Sequence, residues 1–248
     1  MRMKEDHMLN GQLKPGYNIQ VGTENNFVIG YDVFPNPTDT RTFAPHLENV
    51  QNRLKCTFKT VIADAGYGSE ENYDYLEEKE IIGVVKYPSY EKETKRSFKK
   101  KIFNAENWKY DAEQKEYTCP CGNPVPYKKT VTKKNESGYM QTYEVYGCDN
   151  CEGCPFRALC TKSEYGRMVQ RNEHWLEQKA KVKELLSTDE YKKLMKERST
   201  ECETVFGQIK GNLHFRRFYL RGNEKVATEW GLLMIGYDFK QLARMMNA

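Results

Sequence analysis

The 248-residue sequence lacks any long apolar run. Even the apolar segment at residues 231–237, near the carboxyl end, is far shorter than the ~20 residues that span a bilayer. The first seven residues contain no apolar segment of the kind found in secretory signals. We therefore expect no membrane association and a cytoplasmic location, where thiols are usually reduced.

The sequence also lacks a strong net charge, because 39 Lys and Arg residues face 35 Asp and Glu residues, for a formal charge of +4. No global basic field therefore indicates a nucleic-acid partner. Locally the charges separate: residues 64–80 hold seven acids and one lysine, whereas residues 92–101 hold six bases and one acid. Lys99 and Lys100 lie in this basic run, which is as consistent with a solvated loop as with a phosphate-contacting arm.

The first 88 residues have the order of segments typical of an α/β core. Residues 17–21 and 27–34 flank a short Asn-rich turn, which predicts an antiparallel hairpin. Asp39 or Thr40 is a candidate cap for a helix that ends near Leu54. Three further elements are then predicted: a strand at 58–63, a helix at 70–80 and a strand at 81–85.

The remaining chain divides by pattern into a predicted insertion at 89–187 and a carboxyl-terminal helical part at 188–248. Periodicity fails from 89 to 134, apart from a candidate hairpin at 103–117. Helical periodicity resumes at 173, and a final helix is predicted at about 224–246. Its apolar stripe, which we interpret as core, consists of Val226, Trp230, Leu233 and Tyr237.

Two carboxylates stand out by their positions. Asp64 follows an apolar strand and precedes a Gly-rich turn, so it lies at the carboxyl end of a strand, where α/β folds collect ligands. The alternative is an ordinary turn or cap residue. Glu203 lies at the edge of the apolar face of a predicted helix and points toward the sheet, although with Lys210 it is also consistent with a surface pair.

A loop directly after this helix interleaves three arginines with aromatic residues. Arginine forks suit phosphates and aromatic rings stack on unpaired bases, which favours nucleic-acid binding over a loop packed on carboxylates. The arginines are Arg216, Arg217 and Arg221.

Three segments together resemble the DDE transposases of bacterial insertion sequences, in particular a branch with a cysteine-bearing insertion in the catalytic domain. They are residues 61–68, 198–210 and 215–222. The resemblance implies an α/β fold with an RNase H-like mixed sheet flanked by helices. It places a cysteine-rich insertion between the last core strand and the glutamate-bearing helix.

The same resemblance implies an enzyme that cuts and joins DNA with three carboxylates and two Mg²⁺ (or Mn²⁺) ions. Asp64 then matches the second acid and Glu203 the third. Arg198 and Lys210 match basic residues expected at DNA phosphates near the scissile bond. The implied partner is DNA at insertion-sequence ends, with a possible homo-oligomer, and the implied location is the nucleoid.

The family's first acid has no convincing counterpart in this sequence. The two strands before the first helix match family segments that follow the strand bearing that acid, and neither Asp6 nor Asp32 is a convincing substitute. We therefore expect a carboxyl-terminal portion of a transposase that is inactive, or nearly so, on its own.

Six of the eight cysteines lie between residues 119 and 160, a spacing typical of a metal site. The prediction is a structural Zn²⁺ held by four thiolates, namely Cys151, Cys154 and Cys160 with either Cys119 or Cys148. An iron–sulfur cluster and a set of free thiols are the alternatives. Cys56 and Cys202 are expected to be buried apolar residues.

The leading hypothesis is therefore an incomplete transposase catalytic domain. The alternative is a non-catalytic, zinc-containing fragment that binds DNA.

Overall fold

The structure is a computed structural model that describes residues 2–5, 11–36 and 38–247. Within these ranges, the side chains of residues 2–5, 14, 15, 199, 200, 202 and 203 are outside the description. The chain divides into two compact units. Unit 1 comprises Met1–Tyr87 and Val182–Ala248, and unit 2 comprises Pro88–Lys181.

The described residues form eleven strands and eight α-helices. The strands are β1 Arg2–Glu5, β2 Leu13–Gly16, β3 Asn18–Glu24, β4 Phe27–Phe34, β5 Thr60–Ala63, β6 Ile82–Val85, β7 Lys109–Asp111, β8 Glu116–Thr118, β9 Pro124–Lys134, β10 Met140–Gly147 and β11 Met168–Arg171. The helices are α1 Phe43–Leu54, α2 Glu70–Glu78, α3 Tyr90–Thr94, α4 Arg96–Lys99, α5 Arg157–Cys160, α6 Glu173–Leu185, α7 Asp189–Gly207 and α8 Asn223–Met246. No helix among them is long and apolar enough to cross a membrane.

The hairpin predicted near the amino terminus is confirmed as β3 and β4, which pair antiparallel. Asn25 and Asn26 form its turn with φ of 52° and 66°. Two successive positive φ values match the twist of a two-residue hairpin, and Asn tolerates them better than most residues. The local sequence therefore determines this element.

The β5, α2 and β6 segments confirm the predicted strand, helix, strand order, and β5 pairs with β6 in parallel. In the described residues the pairs β3–β4 and β5–β6 are separate two-stranded sheets, as is β1–β2. Helix α7 packs against β3, β5 and β6, so one helix covers both sheets of this part of unit 1. The mixed α/β character is confirmed, and the single RNase H-like sheet stays a prediction.

Helix α1 begins later than predicted. Its N-cap is Thr42, whose N–H and hydroxyl both donate to the carbonyl oxygen of Asp39, so residues 39–42 form a turn before the helix. The helix packs against β4 at Gly30, where a Cβ atom would lie 2.6 Å from a methyl carbon of Val50. Glycine is needed there because the helix approaches the strand backbone.

The core of unit 1 includes the apolar face of α8 that the sequence pattern predicted as core. Val226, Trp230 and Tyr237 are buried, and Leu233 packs at the edge of the same cluster. Val205, near the end of α7, and Ile209, in the turn directly after it, join them. The apolar face expected beside Glu203 is therefore confirmed at these two positions.

Unit 2 contains a five-stranded antiparallel sheet of order β11-β10-β9-β8-β7. The hairpin expected at 103–117 is present as β7 and β8, but the expected loss of regular structure up to residue 134 is wrong. The sequence pattern does not predict strand β9, because most of its side chains are exposed and few are apolar, so the alternation of apolar and polar residues is weak. The sheet packs on a core of Trp108, Tyr117, Val125, Tyr146, Cys148 and Val169.

Candidate functional site

Asp64 lies directly after β5 and caps the short 3₁₀ turn Ala65–Tyr67. Its Oδ1 atom accepts a hydrogen bond of 2.7 Å from the N–H of Ala65, which fixes the carboxylate at the strand end. The side chain nevertheless keeps 68% of its surface exposed. An oriented carboxylate that remains open to solvent is suited to bind a hard divalent cation.

Close packing holds the turn after Asp64 in place. A Cβ atom on Gly68 would lie 2.7 Å from the Cα atom of Tyr87 and closer still to the carbonyl oxygen of Lys86. The turn therefore sits against the backbone that follows β6, and only glycine fits at this contact.

Helix α7 brings a second predicted residue to Asp64. A terminal guanidinium nitrogen of Arg198 lies 3.9 Å from Asp64 Oδ1, although 134 residues separate the two in the sequence. The Arg198 side chain is only 18% exposed, so its position is restricted. The structure thus places the predicted helix beside the predicted strand end.

Glu203 lies on the same helix, with its backbone in α7 and its side chain outside the described atoms. Five residues separate it from Arg198, which corresponds to about 7.5 Å along a helix axis. Asp6 lies outside the described residues altogether.

Asp32 is occupied by a structural network. Its carboxylate contacts the Nδ1 atom of His46 at 2.6 Å and the guanidinium of Arg53 at 2.8 Å, and it accepts a longer hydrogen bond from Asn49. All three partners lie on α1, so this carboxylate connects β4 to the helix that packs on it. The geometry gives Asp32 a role in packing.

A polar network that the sequence did not reveal connects β3 to the turn after Asp64. The hydroxyl of Tyr67 donates to the side chain of Gln20, which is itself 3% exposed. Gln20 and Asn18 both donate to Asp39 Oδ1, at 3.3 and 3.0 Å. Only the tertiary structure brings these residues together, so no local signal indicated them.

Lys210 lies in a π-helical turn, Gln208–Asn212, that continues α7. Its ammonium nitrogen lies 5.1 Å from the centre of the Phe206 ring, and the residue is exposed. A cation held over a ring at a helix end is available to a phosphate.

The arginine loop, residues 215–222, presents its charges to solvent. Its members Arg216, Arg217 and Arg221 are exposed, and none pairs with an acid among the described residues. Lys99 and Lys100, in unit 2, are likewise exposed and without an acidic partner in the described part of the chain.

The aromatic residues of the arginine loop mostly face inward, which corrects the expectation that they stack on bases. The rings of Phe215 and Phe218 lie 6.2 and 6.1 Å from that of Trp230, in the core of unit 1. Tyr219 alone among the loop's aromatics is strongly exposed, at 83%. The carboxylate of Glu229 accepts from the N–H groups of Tyr219 and Leu220, so the loop is tied to α8.

The cysteine cluster of unit 2 is assembled around one cavity. Its members are Cys119, Cys121, Cys148, Cys151, Cys154 and Cys160. Cys121, which the predicted ligand set omits, lies with its sulfur 3.3 Å from that of Cys154. The N–H of Arg167 donates to the sulfur of Cys151.

Three thiols of this cluster have a pKa above the usual value of cysteine. The hydrogen bond with Cys154 raises the pKa of Cys121, and burial raises the pKa of Cys148 to about 12 and that of Cys160 above its usual value. No group of three or more His, Cys, Asp or Glu side chains in the described ranges is arranged to hold a metal ion. A metal would therefore have to displace thiol protons and reorient these side chains.

Of the two remaining cysteines, one differs from expectation and the other stays untested. Cys56 is exposed, in contrast to the predicted burial, because α1 ends at Leu54 and the chain turns at Lys55 in the left-handed conformation. The side chain of Cys202 is outside the described atoms.

Comparison with known protein families identifies a match. The family model described as "Transposase DDE domain" matches residues 118–243, about half of the chain. This range contains the cysteine cluster, α7 and the arginine loop, and it begins after Asp64. No curated protein and no solved structure matches the chain.

Proposed function

This chain belongs to the transposase DDE domain family, and on that premise we propose that it supplies two metal-binding carboxylates of a DNA-cleaving site, Asp64 and Glu203. The family acts in DNA transposition and uses a divalent metal, Mg²⁺ or Mn²⁺. The observation that carries the assignment is the approach of Arg198 to Asp64, since it joins the strand end to the helix that bears Glu203. We further propose that unit 1 is an RNase H-like core and unit 2 its cysteine-bearing insertion.

The carboxylates of a strand end and of a helix suit this chemistry because both elements are rigid. The bound metal would supply charge stabilisation and an activated hydroxyl group. The residues of the chain would bind and orient the DNA: Arg198 and Lys210 would hold phosphates near the site, and the arginine loop would hold the strand further away.

Metal binding is the first test, because its outcome does not depend on cleavage. We expect Mn²⁺ to raise the melting temperature of the wild type, and to do so much less for Asp64→Ala and Glu203→Ala. Asp189→Ala is the matched control, since Asp189 is a fully exposed acid in the first turn of the same helix. Equal shifts in all four proteins would remove the metal assignment.

Cleavage is the second test. Only two acids of this chain match the three of the family, so we expect the isolated chain to nick supercoiled plasmid weakly or not at all with Mg²⁺ or Mn²⁺. Strong nicking that Asp64→Ala and Glu203→Ala leave unchanged would show that the activity arises elsewhere.

DNA binding by the arginine loop is tested by salt dependence. Each phosphate contact adds about 0.9 to the slope of log affinity against log salt on duplex DNA. Replacing Arg216, Arg217 and Arg221 with Ala should therefore lower the slope by about 2 to 3. Lys192→Ala is the control, because Lys192 is paired with Asp189, and its slope should stay that of the wild type.

The exposed ring of Tyr219 in the arginine loop is tested by its effect on the affinity for single-stranded DNA. Tyr219→Ala should weaken binding to single-stranded DNA, whereas Tyr165→Ala, at an equally exposed ring in unit 2, should not.

Lys99 and Lys100 are proposed as a second, separate DNA contact. In a Lys99→Ala, Lys100→Ala variant, the slope of log affinity against log salt should fall by up to about 2.

The second candidate function is a non-catalytic, zinc-containing protein that binds DNA. The observation that favours it is the single cavity lined by all six clustered cysteines. We propose that four of Cys119, Cys148, Cys151, Cys154 and Cys160 hold a structural Zn²⁺, and the contact with Cys154 adds Cys121 to the candidates.

The zinc proposal is tested by metal content. About one Zn²⁺ per chain is expected from elemental analysis of the purified protein, with loss in Cys154→Ser and retention in Cys56→Ser. Absorbance typical of iron–sulfur clusters would instead favour iron, and metal-free protein with a normal melting temperature would leave the cysteines as free thiols. Bound Zn²⁺ and salt-dependent DNA binding, together with a melting temperature that Mn²⁺ shifts equally in the wild type, Asp64→Ala and Glu203→Ala, would favour this second function.

A further inference from the structure

Helix α8 exposes a row of large apolar side chains. Leu232, Ile235, Phe239, Leu242 and Met246 are 67%, 55%, 67%, 46% and 79% exposed. Their spacing alternates between three and four residues, so they form one stripe along about four turns of the helix. These five residues are called the α8 stripe.

The α8 stripe is distinct from the face that anchors the helix. Val226, Trp230, Met234 and Tyr237 are buried in the core of unit 1. A helix of a folded protein usually has one apolar face, and the face opposite it is polar. The second apolar face of α8 therefore requires a separate explanation.

The spacing of the α8 stripe favours another helix as its partner. Apolar residues that recur at alternating spacings of three and four are typical of the contact line between paired helices, where each side chain inserts between side chains of the other helix. Gly236 and Ala243 lie beside the stripe, and a Cβ atom on Gly236 would meet nothing within 4 Å. Small residues there allow a second helix to approach closely.

The composition of the α8 stripe favours a second copy of the same helix. The charged residues between Leu232 and Met246 are Asp238, Lys240 and Arg244, and none falls on the stripe. Among the helices of the described residues, α8 alone exposes such a row; the other large exposed apolar residues on helices are isolated. The surface that matches the α8 stripe is therefore the α8 helix of a second copy of this chain.

The area of the stripe is sufficient for association. Five such side chains expose on the order of 600 Å² of apolar surface, at the upper end of the patches found on monomeric proteins. Two copies that cover each other would bury about 1,200 Å², which reaches the lower limit of stable interfaces. An isologous contact between two identical patches closes after two molecules.

We propose that the α8 stripe is the contact surface between two copies of this chain, packed helix against helix. The proposal rests on the exposure and spacing of α8 and is independent of metal binding and cleavage. Association through this surface requires neither DNA nor a divalent ion.

Sedimentation velocity of the full chain, without DNA and with a chelator for Mg²⁺, tests the proposal over a wide range of protein concentration. The wild type should pass from monomer to dimer as concentration rises. Phe239→Glu places a charge in the middle of the stripe and should weaken the dimer at least about 30-fold. Tyr165→Glu makes the same kind of change at a ring that is 89% exposed in unit 2, and it should leave the dimer intact.

The variants should fold normally, because Phe239 is exposed in the monomer; circular dichroism and the melting temperature at low concentration check this. Ile235→Lys provides a second disruption if Phe239→Glu fails to fold. A wild type that stays monomeric throughout overturns the proposal. So does an assembly of any size that both stripe variants leave intact.

Discussion

Gly68→Ala should destabilise unit 1 through a clash in the turn after Asp64. The added Cβ would lie 2.7 Å from the Cα atom of Tyr87, closer still to the carbonyl oxygen of Lys86, and 2.8 Å from the hydroxyl of Tyr73. The first two are backbone atoms of the segment that follows β6, so the turn itself must move. Separation to ordinary contact requires a displacement of about 1 Å, which overpacking data associate with 1–3 kcal/mol.

We expect a loss near the upper end, about 3 kcal/mol, because backbone atoms yield less than side-chain ends. For a domain of this size the melting temperature should fall by roughly 6–12 °C. Calorimetry measures the shift.

Gly66→Ala is the matched control in the same turn. The nearest atom to its added Cβ is Oδ2 of Asp39 at 3.7 Å, an ordinary contact, so its melting temperature should stay close to that of the wild type. Equal melting temperatures for the two variants would refute the argument. If Gly68→Ala also displaces Asp64, it should lose part of the Mn²⁺-induced shift.

Two further predictions concern unit 2. The hydroxyl of Tyr146 donates to the carboxylate of Glu144, and this hydrogen bond is the largest cause of the lowered pKa of Glu144. The ionised carboxylate therefore stabilises the fold at pH values above the ordinary pKa of Glu. This stabilisation is lost as the pH falls through the lowered pKa. Tyr146→Phe should raise the pKa of Glu144 toward its ordinary value in an NMR titration, and an unchanged pKa would contradict this cause. Lys179, 7% exposed, lies 2.5 Å from a carboxylate oxygen of Glu93, so Lys179→Met should cost about 3 kcal/mol in urea unfolding. Lys192→Met, at an exposed pair, should cost less than about 0.5 kcal/mol, and equal costs would show that burial does not matter.

Elements with strong local signals were predictable from the sequence. The Asn-Asn turn specified the β3–β4 hairpin, and the apolar periodicity of α8 specified both the helix and its buried face. The α8 stripe was not predictable in this way, because the sequence alone does not show which apolar side chains of α8 the core of unit 1 leaves exposed.

The sheet of unit 2 was not predictable by the same means. Lys128, Lys129, Lys133 and Lys134 dominate β9, and its apolar positions are few. Its register comes from pairing with β10, which supplies cross-strand partners such as Tyr143 opposite Val131. Such pairing is tertiary information that a pattern along one strand does not contain.

The candidate site was predictable residue by residue but not as an arrangement. Asp64 was recognisable from the strand and the Gly-rich turn, whereas its contact with Arg198 depends on packing between distant segments. The inward direction of Phe215 and Phe218 follows from the position of Trp230, which no spacing within the loop reveals.

Unit 1 is built from both ends of the chain, and this has a consequence during synthesis. Unit 2 is continuous, so its 94 residues, Pro88–Lys181, can begin to fold as they leave the ribosome. At ~5–20 residues per second, the synthesis of unit 2 lasts about 5–20 s. During this time β3, β5 and β6 lack the helix α7 that packs against them. Asp64 therefore emerges long before Glu203, and the proposed cutting chemistry cannot start on a nascent chain until α7 has been made.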